Sequence, residues 1–115
     1  MRIGTYQFAP IFGDLNANRS RVELQLTRRL DRYTDSTGSA PDFLVLPELA
    51  FSGYHFTSPS EAKSLGEPVD GESASVLLRL AQRFGTHIAA GYAELAEDGS
   101  LYNSSMLVGP NGIEG

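Results

Sequence analysis

A chain of 115 residues, 41% hydrophobic and 20% charged, has the make-up of one small globular domain rather than of a disordered segment. Nine Lys and Arg against fourteen Asp and Glu leave a net charge of -5, which excludes the basic face that nucleic-acid binding needs. Cysteine is absent, so disulfides, thiolate metal sites and thiol nucleophiles are excluded within these residues, and the redox compartment stays undetermined.

The opening Met1-Arg2-Ile3-Gly4 leads into no long apolar run. Neither a signal peptide nor a membrane span is predicted, and a cytoplasmic setting is expected. Ile3 to Phe8 mixes strand formers and stops at Pro10, which predicts a first strand over about residues 2 to 8. Gly13-Asp14 then punctuates the chain. Asp14 is placed to cap a helix over residues 15 to 34, whose buried stripe is Val22, Leu26, Leu30 and Tyr33.

A turn-forming run, Asp35-Ser36-Thr37-Gly38-Ser39-Ala40-Pro41, returns the chain to the sheet. Phe43-Leu44-Val45-Leu46 reads as a strand buried on both faces, ended by Pro47. Strand, helix and strand in that order imply two parallel strands. Glu48 therefore stands just past the carboxyl end of a buried strand, where open α/β sheets gather their ligand groups. The competing reading of Glu48 is a solvated acid that opens a loop.

Phe51 to Val69 has no clear period, which suggests a functional loop with a short helical turn around Glu61 to Leu65. Val76, Leu77, Leu80, Ala81 and Phe84 mark a second amphipathic helix, capped near Asp70 and stopped by Gly85. His87 to Glu94 reads as a third strand whose small residues let a neighbour approach closely, and Leu101 to Val108 as a fourth, antiparallel to it. Pro110-Asn111-Gly112 signals a turn into a further strand. The expected fold class is α/β, with about four strands and two helices in a mixed sheet that looks like the first part of something larger.

Phosphate cradles of the GxGxxG or GxxxxGK[ST] type are missing, His55 and His87 have no metal-ligand spacing, and Ser52 lacks the GxSxG context. No metal and no cofactor is predicted. Glu48 remains, with Glu94 as a second candidate: both follow an apolar strand, so their carboxylates are expected to meet at one rim of the sheet and divide base and orienting roles.

The ordered set Ile3-Gly4-Thr5-Tyr6-Gln7-Phe8-Ala9-Pro10, Gly13-Asp14, Asn18, Leu46-Pro47-Glu48, Gly53-Tyr54, Gly91-Tyr92-Ala93-Glu94, Leu101-Tyr102-Asn103-Ser104-Ser105 and Pro110-Asn111-Gly112 resembles the amino-terminal part of a carbon-nitrogen hydrolase of the nitrilase superfamily. The resemblance spans nearly the whole chain, residues 1 to 115 then being the first part of a single domain. It implies a partial nitrilase-like α-β-β-α sandwich and a Glu-Lys-Cys triad in which Glu48 is the general base. It also implies that Tyr54, Glu94 and Asn103 bind substrate or shape the site, and that the full-length protein is a homodimer acting on an amide.

The loop from Leu44 to Phe56 is most similar to fungal protein amino-terminal amidases, which convert amino-terminal Asn or Gln to Asp or Glu. A non-catalytic scaffold or dimerisation module of the same fold, or another amidase or nitrilase, is the alternative. Because the family's lysine should follow the Asn111-Gly112 turn and its cysteine later still, the 115 residues by themselves are expected to be a fragment or degenerate relative without activity. The only lysine, Lys63, lies in the wrong element.

Overall fold

The computed structural model describes all 115 residues. Strand β1 (Ile3–Thr5) leads to helix α1 (Leu15–Thr37) and strand β2 (Phe43–Val45). A short helix α2 (Pro59–Ser64) and a longer one, α3 (Glu72–Phe84), precede strands β3 (His87–Leu95), β4 (Leu101–Gly109) and β5 (Gly112–Ile113). The strands make one sheet in the order β1-β2-β3-β4-β5. The first two pairings, β1 with β2 and β2 with β3, are parallel, and the last two are antiparallel. The expected mixed α/β sheet is therefore present, with five strands and three helices in place of four and two.

Local chemistry accounts for the boundaries. Asp14 caps α1 as expected, its Oδ1 accepting from the Ala17 N–H at 2.9 Å. The helix runs three residues beyond the predicted end because Ser36 and Thr37, read as turn formers, donate their hydroxyls to the Tyr33 carbonyl at 2.9 and 2.8 Å. Gly38 then closes it in the left-handed region, at φ 87°. The first strand is shorter than predicted: the Tyr6 N–H still reaches the Val45 carbonyl at 3.0 Å, but the chain leaves the sheet thereafter. Gly71 rather than Asp70 sits at the N-cap of α3, with no side-chain bond.

Both long helices cover one face of the sheet. Val22, Leu26 and Leu30 of α1 and Val76, Leu77, Leu80 and Ala81 of α3 pack with Leu44, Ile88, Ala90, Tyr92, Met106 and Val108 in a single core of 18 buried residues. Tyr33, predicted to complete the α1 stripe, is instead 38% exposed and lies outside the core cluster, its ring under the Arg2 guanidinium at 5.9 Å. No helix is long and apolar enough to cross a membrane.

Alternation along each strand assigns the other face. Ile3, Phe43, Val45, His87, Ala89 and Leu107 share it through the β1-β2-β3-β4 register, and no element lies over it: Ile3 is 60% and Val45 38% exposed, so β2, expected to be buried on both faces, is buried only on the helix side. One helix layer and one sheet are what the chain contributes.

Candidate active site

Past Val45 the chain does not leave β3. The Leu46 N–H donates to the Ala89 carbonyl at 2.9 Å, the Gly91 N–H to the Pro47 carbonyl at 3.2 Å, and the Ala50 N–H to the Gly91 carbonyl at 2.9 Å. These bonds make residues 46 to 50 a strap along the outer half of β3, with Glu48 arched over Gly91. A Cβ at position 91 would lie 2.6 Å from the Glu48 Cα, so only glycine admits the strap. Leu49 absorbs the arch at φ 46°, the one non-glycine residue of the chain in the left-handed region. The small residues of strand 3 do permit the close approach expected of them, and the approaching neighbour is Glu48.

The Glu48 carboxylate stands on the uncovered face. Its Oε1 accepts from Asn103 Nδ2 at 2.5 Å, while Oε2 has no hydrogen-bond partner within the chain. Asn103 lies on β4 opposite Ala93. Together with Val45, Ala89, Gly91 and Ser105, the pair lines a cleft of about 390 Å³. A carboxylate with one oxygen held and the other free, at the mouth of a cleft, is equipped to take a proton.

Glu94 is not part of this arrangement. It belongs to the helix-covered face with Tyr92, and its Oε2 accepts from Ser104 Oγ at 2.6 Å. The expectation that the two acids meet at one rim is corrected: Glu48 rides over Gly91, and Glu94 lies three positions on from Gly91, an odd step, so the pleat sends them to opposite faces. Tyr54, 51% exposed on the loop after the strap, is likewise outside the cleft lining. Its neighbours do pack: Phe12 meets His55 and Phe56 edge-on, with centroids 5.8 and 5.6 Å apart. His87, which has no metal-ligand spacing, stacks on Phe43 and approaches Glu114 at 3.3 Å. Nowhere do three or more His, Asp or Glu side chains converge as a metal site.

Two anchoring roles escaped the sequence reading, although Asn18 stands among the residues that carry the resemblance. Asn18 is fully buried; its Nδ2 donates to the Ile11 and Phe51 carbonyls, each at 2.7 Å, and its Oδ1 accepts from the Ile11 N–H at 2.8 Å. It therefore ties the loop before α1 to the end of the strap. Arg19, beside it, bonds Glu67 at 2.8 Å with both side chains nearly buried, and Ser73 N–H and Oγ donate to the same carboxylate. Glu67 in turn pairs with β3 through the Ala93 carbonyl and the Leu95 N–H, closing the loop that follows the strap against the sheet. An asparagine in a sequon and a glutamate before a proline carry no local signal of such roles.

On this covered face, burial first, then the charge and hydrogen bonding of Glu94 and the charge of Glu67, push the Tyr92 phenol up to about 12. The unfolded chain ionises tyrosine near pH 10. The stabilisation from Tyr92 is thus complete below about pH 10 and is lost as the pH rises through about 12, a fall of about 2 to 3 kcal/mol. Urea unfolding midpoints at about pH 9 and about pH 11.5 should show this fall in the wild type and a smaller one in Tyr92→Phe. Equal slopes in the two proteins would remove the assignment, since burial also raises Tyr6 in both.

Comparison with known proteins identifies the family and the fold. The family model described as "Carbon-nitrogen hydrolase" matches residues 2–114. The chain is 36% identical to a nitrilase of Pyrococcus abyssi, over all of this chain and 41% of that protein. It is 30% identical to the protein N-terminal amidase of Saccharomyces cerevisiae, over 85% of this chain and 22% of the other. The crystal structure of an N-terminal amidase with a Gln-Val peptide superposes with a TM-score of 0.84 at 25% identity, over the whole of this chain and 27% of that one. A carbon-nitrogen hydrolase from Helicobacter pylori G27 shares the fold at a TM-score of 0.81, with 38% of that chain covered. The chain spans less than half the length of each relative named here. The family-model match from residue 2 to residue 114 places this chain in the carbon-nitrogen hydrolase family.

Proposed function

We propose that these residues supply the general base and one wall of the substrate cleft of an amide hydrolase, and that Glu48 is that base. The observation that carries the reading is the Glu48 carboxylate standing at the cleft on the uncovered face, with Oε1 held by Asn103 and Oε2 free. In the mechanism that the resemblance implies, Glu48 takes the proton of a cysteine thiol, and the thiolate adds to the amide carbon. A lysine ammonium stabilises the oxyanion that forms, and Glu48 returns its proton to the departing ammonia. Water then hydrolyses the thioester. These 115 residues hold no cysteine, and their single lysine is on α2, so the thiol and the ammonium belong to residues outside them.

Peptides that begin with Asn or Gln are the substrates we assign. The similarity to the yeast N-terminal amidase and to the amidase structures with Gln-Val and Asn-Glu peptides supports this choice. The full-length protein should release ammonia from Asn-leading and Gln-leading peptides in a coupled assay. Turnover of small aliphatic amides or nitriles with Asn-leading peptides untouched would overturn the substrate assignment. A reading frame that closes at Gly115, without a Lys and a Cys beyond it, would overturn the enzyme reading itself.

A further inference from the structure

The strap fixes the Glu48 backbone, but nothing in the strap fixes its carboxylate. The side chain is solvent-exposed, its three rotatable bonds are free, and the chain offers it a single hydrogen bond, from Asn103 Nδ2 at 2.5 Å. Asn103 is mounted differently. It lies within a run of eight register pairs between β3 and β4, from Ile88↔Val108 to Leu95↔Leu101, the most extensively paired part of the sheet. Its neighbours on that face, Ala93 across the strand pair and Ser105 two residues on, are small and leave the amide room to lie flat toward Glu48.

We propose that Asn103 is a positioning residue for the base rather than a substrate-binding one: its amide N–H pins Oε1, so that Oε2 is aimed into the cleft before the thiol arrives. This rests on the reading of Glu48 as general base. A carboxylate held in one orientation reacts from a near-attack geometry, whereas one that samples all its rotamers spends most of its time misplaced. The donor is carried by a different strand from the base, so the orientation is set by the sheet and survives motion of the loop beyond the strap.

The test uses the full-length protein. Asn103→Leu removes the donor at an exposed position, and its unfolding midpoint should stay close to the wild type. Its kcat should fall about 10- to 100-fold while KM stays within about threefold. In a Glu48→Gln background the same substitution should have no further effect, because there is no base left to aim. A rise in KM at unchanged kcat would make Asn103 a substrate contact and overturn the inference. So would a loss that adds in full to that of Glu48→Gln. If Glu48→Gln is inactive and Asn103→Leu is fully active, only the positioning role falls; if Glu48→Gln turns over like the wild type, both it and the general-base reading fall.

Discussion

Glu48→Gln in the full-length protein lowers kcat for amide hydrolysis by about 100- to 10,000-fold, with KM nearly unchanged. Glutamine has the shape of glutamate, and its Oε1 can still accept from Asn103, so the strap, the cleft and the Asn103 contact persist. What disappears is the capacity to take the thiol proton, and that is a transition-state term of about 3 to 5 kcal/mol. The position of the strap makes this a clean substitution: the backbone of residues 46 to 50 is held by main-chain bonds to Ala89 and Gly91 that no side chain at position 48 touches. Steady-state kinetics on an Asn-leading peptide would read the effect, and turnover within a few fold of the wild type would remove Glu48 from the chemistry.

Asn18→Leu destabilises the fold by about 3 kcal/mol or more, the largest effect on stability expected outside the apolar core. The substitution leaves the Ile11 N–H and the Phe51 carbonyl without their buried partner. It also removes a donor to the Ile11 carbonyl, which retains only the Asp14 N–H at 3.2 Å. A fully buried orphan such as the Phe51 carbonyl costs about 1 to 3 kcal/mol, and the half-buried Ile11 N–H adds a smaller cost. A shift in the urea midpoint at constant slope would report the loss. The same clasp includes the bond from the Gly13 N–H to the Ser52 carbonyl at 3.0 Å, so the end of the strap loosens with it. A variant within about 1 kcal/mol of the wild type would show that water takes over Asn18's bonds, and the clasp would then be dispensable.

The elements were readable because their causes are local. A 3.6-residue stripe with Asp14 before it and Gly38 after it makes α1 wherever the helix is later placed. Pro47 ends the regular part of β2 at the place expected, and the Gly112 turn does open a last short strand. Errors concentrated where a side chain's job is decided by something far along the chain. Periodicity alone puts Tyr33 in the core, and residue type alone puts the α3 cap near Asp70, but neither signal contains the Arg2 contact of Tyr33 or the extended backbone of Gly71.

For the site the division is sharper. The sequence by itself determined that an acid follows an apolar strand and a proline, and that a glycine in the third strand invites a close neighbour. Only the tertiary structure decided that this glycine lies under this acid, that Asn103 is its partner across 55 residues, and that Glu94 faces the helices with Ser104. The reason is physical. Which face a strand residue occupies depends on parity counted from a pairing partner, and a register shift of one residue would exchange the two faces, so no count within a single strand can tell a carboxylate at the open cleft from one that faces the helices.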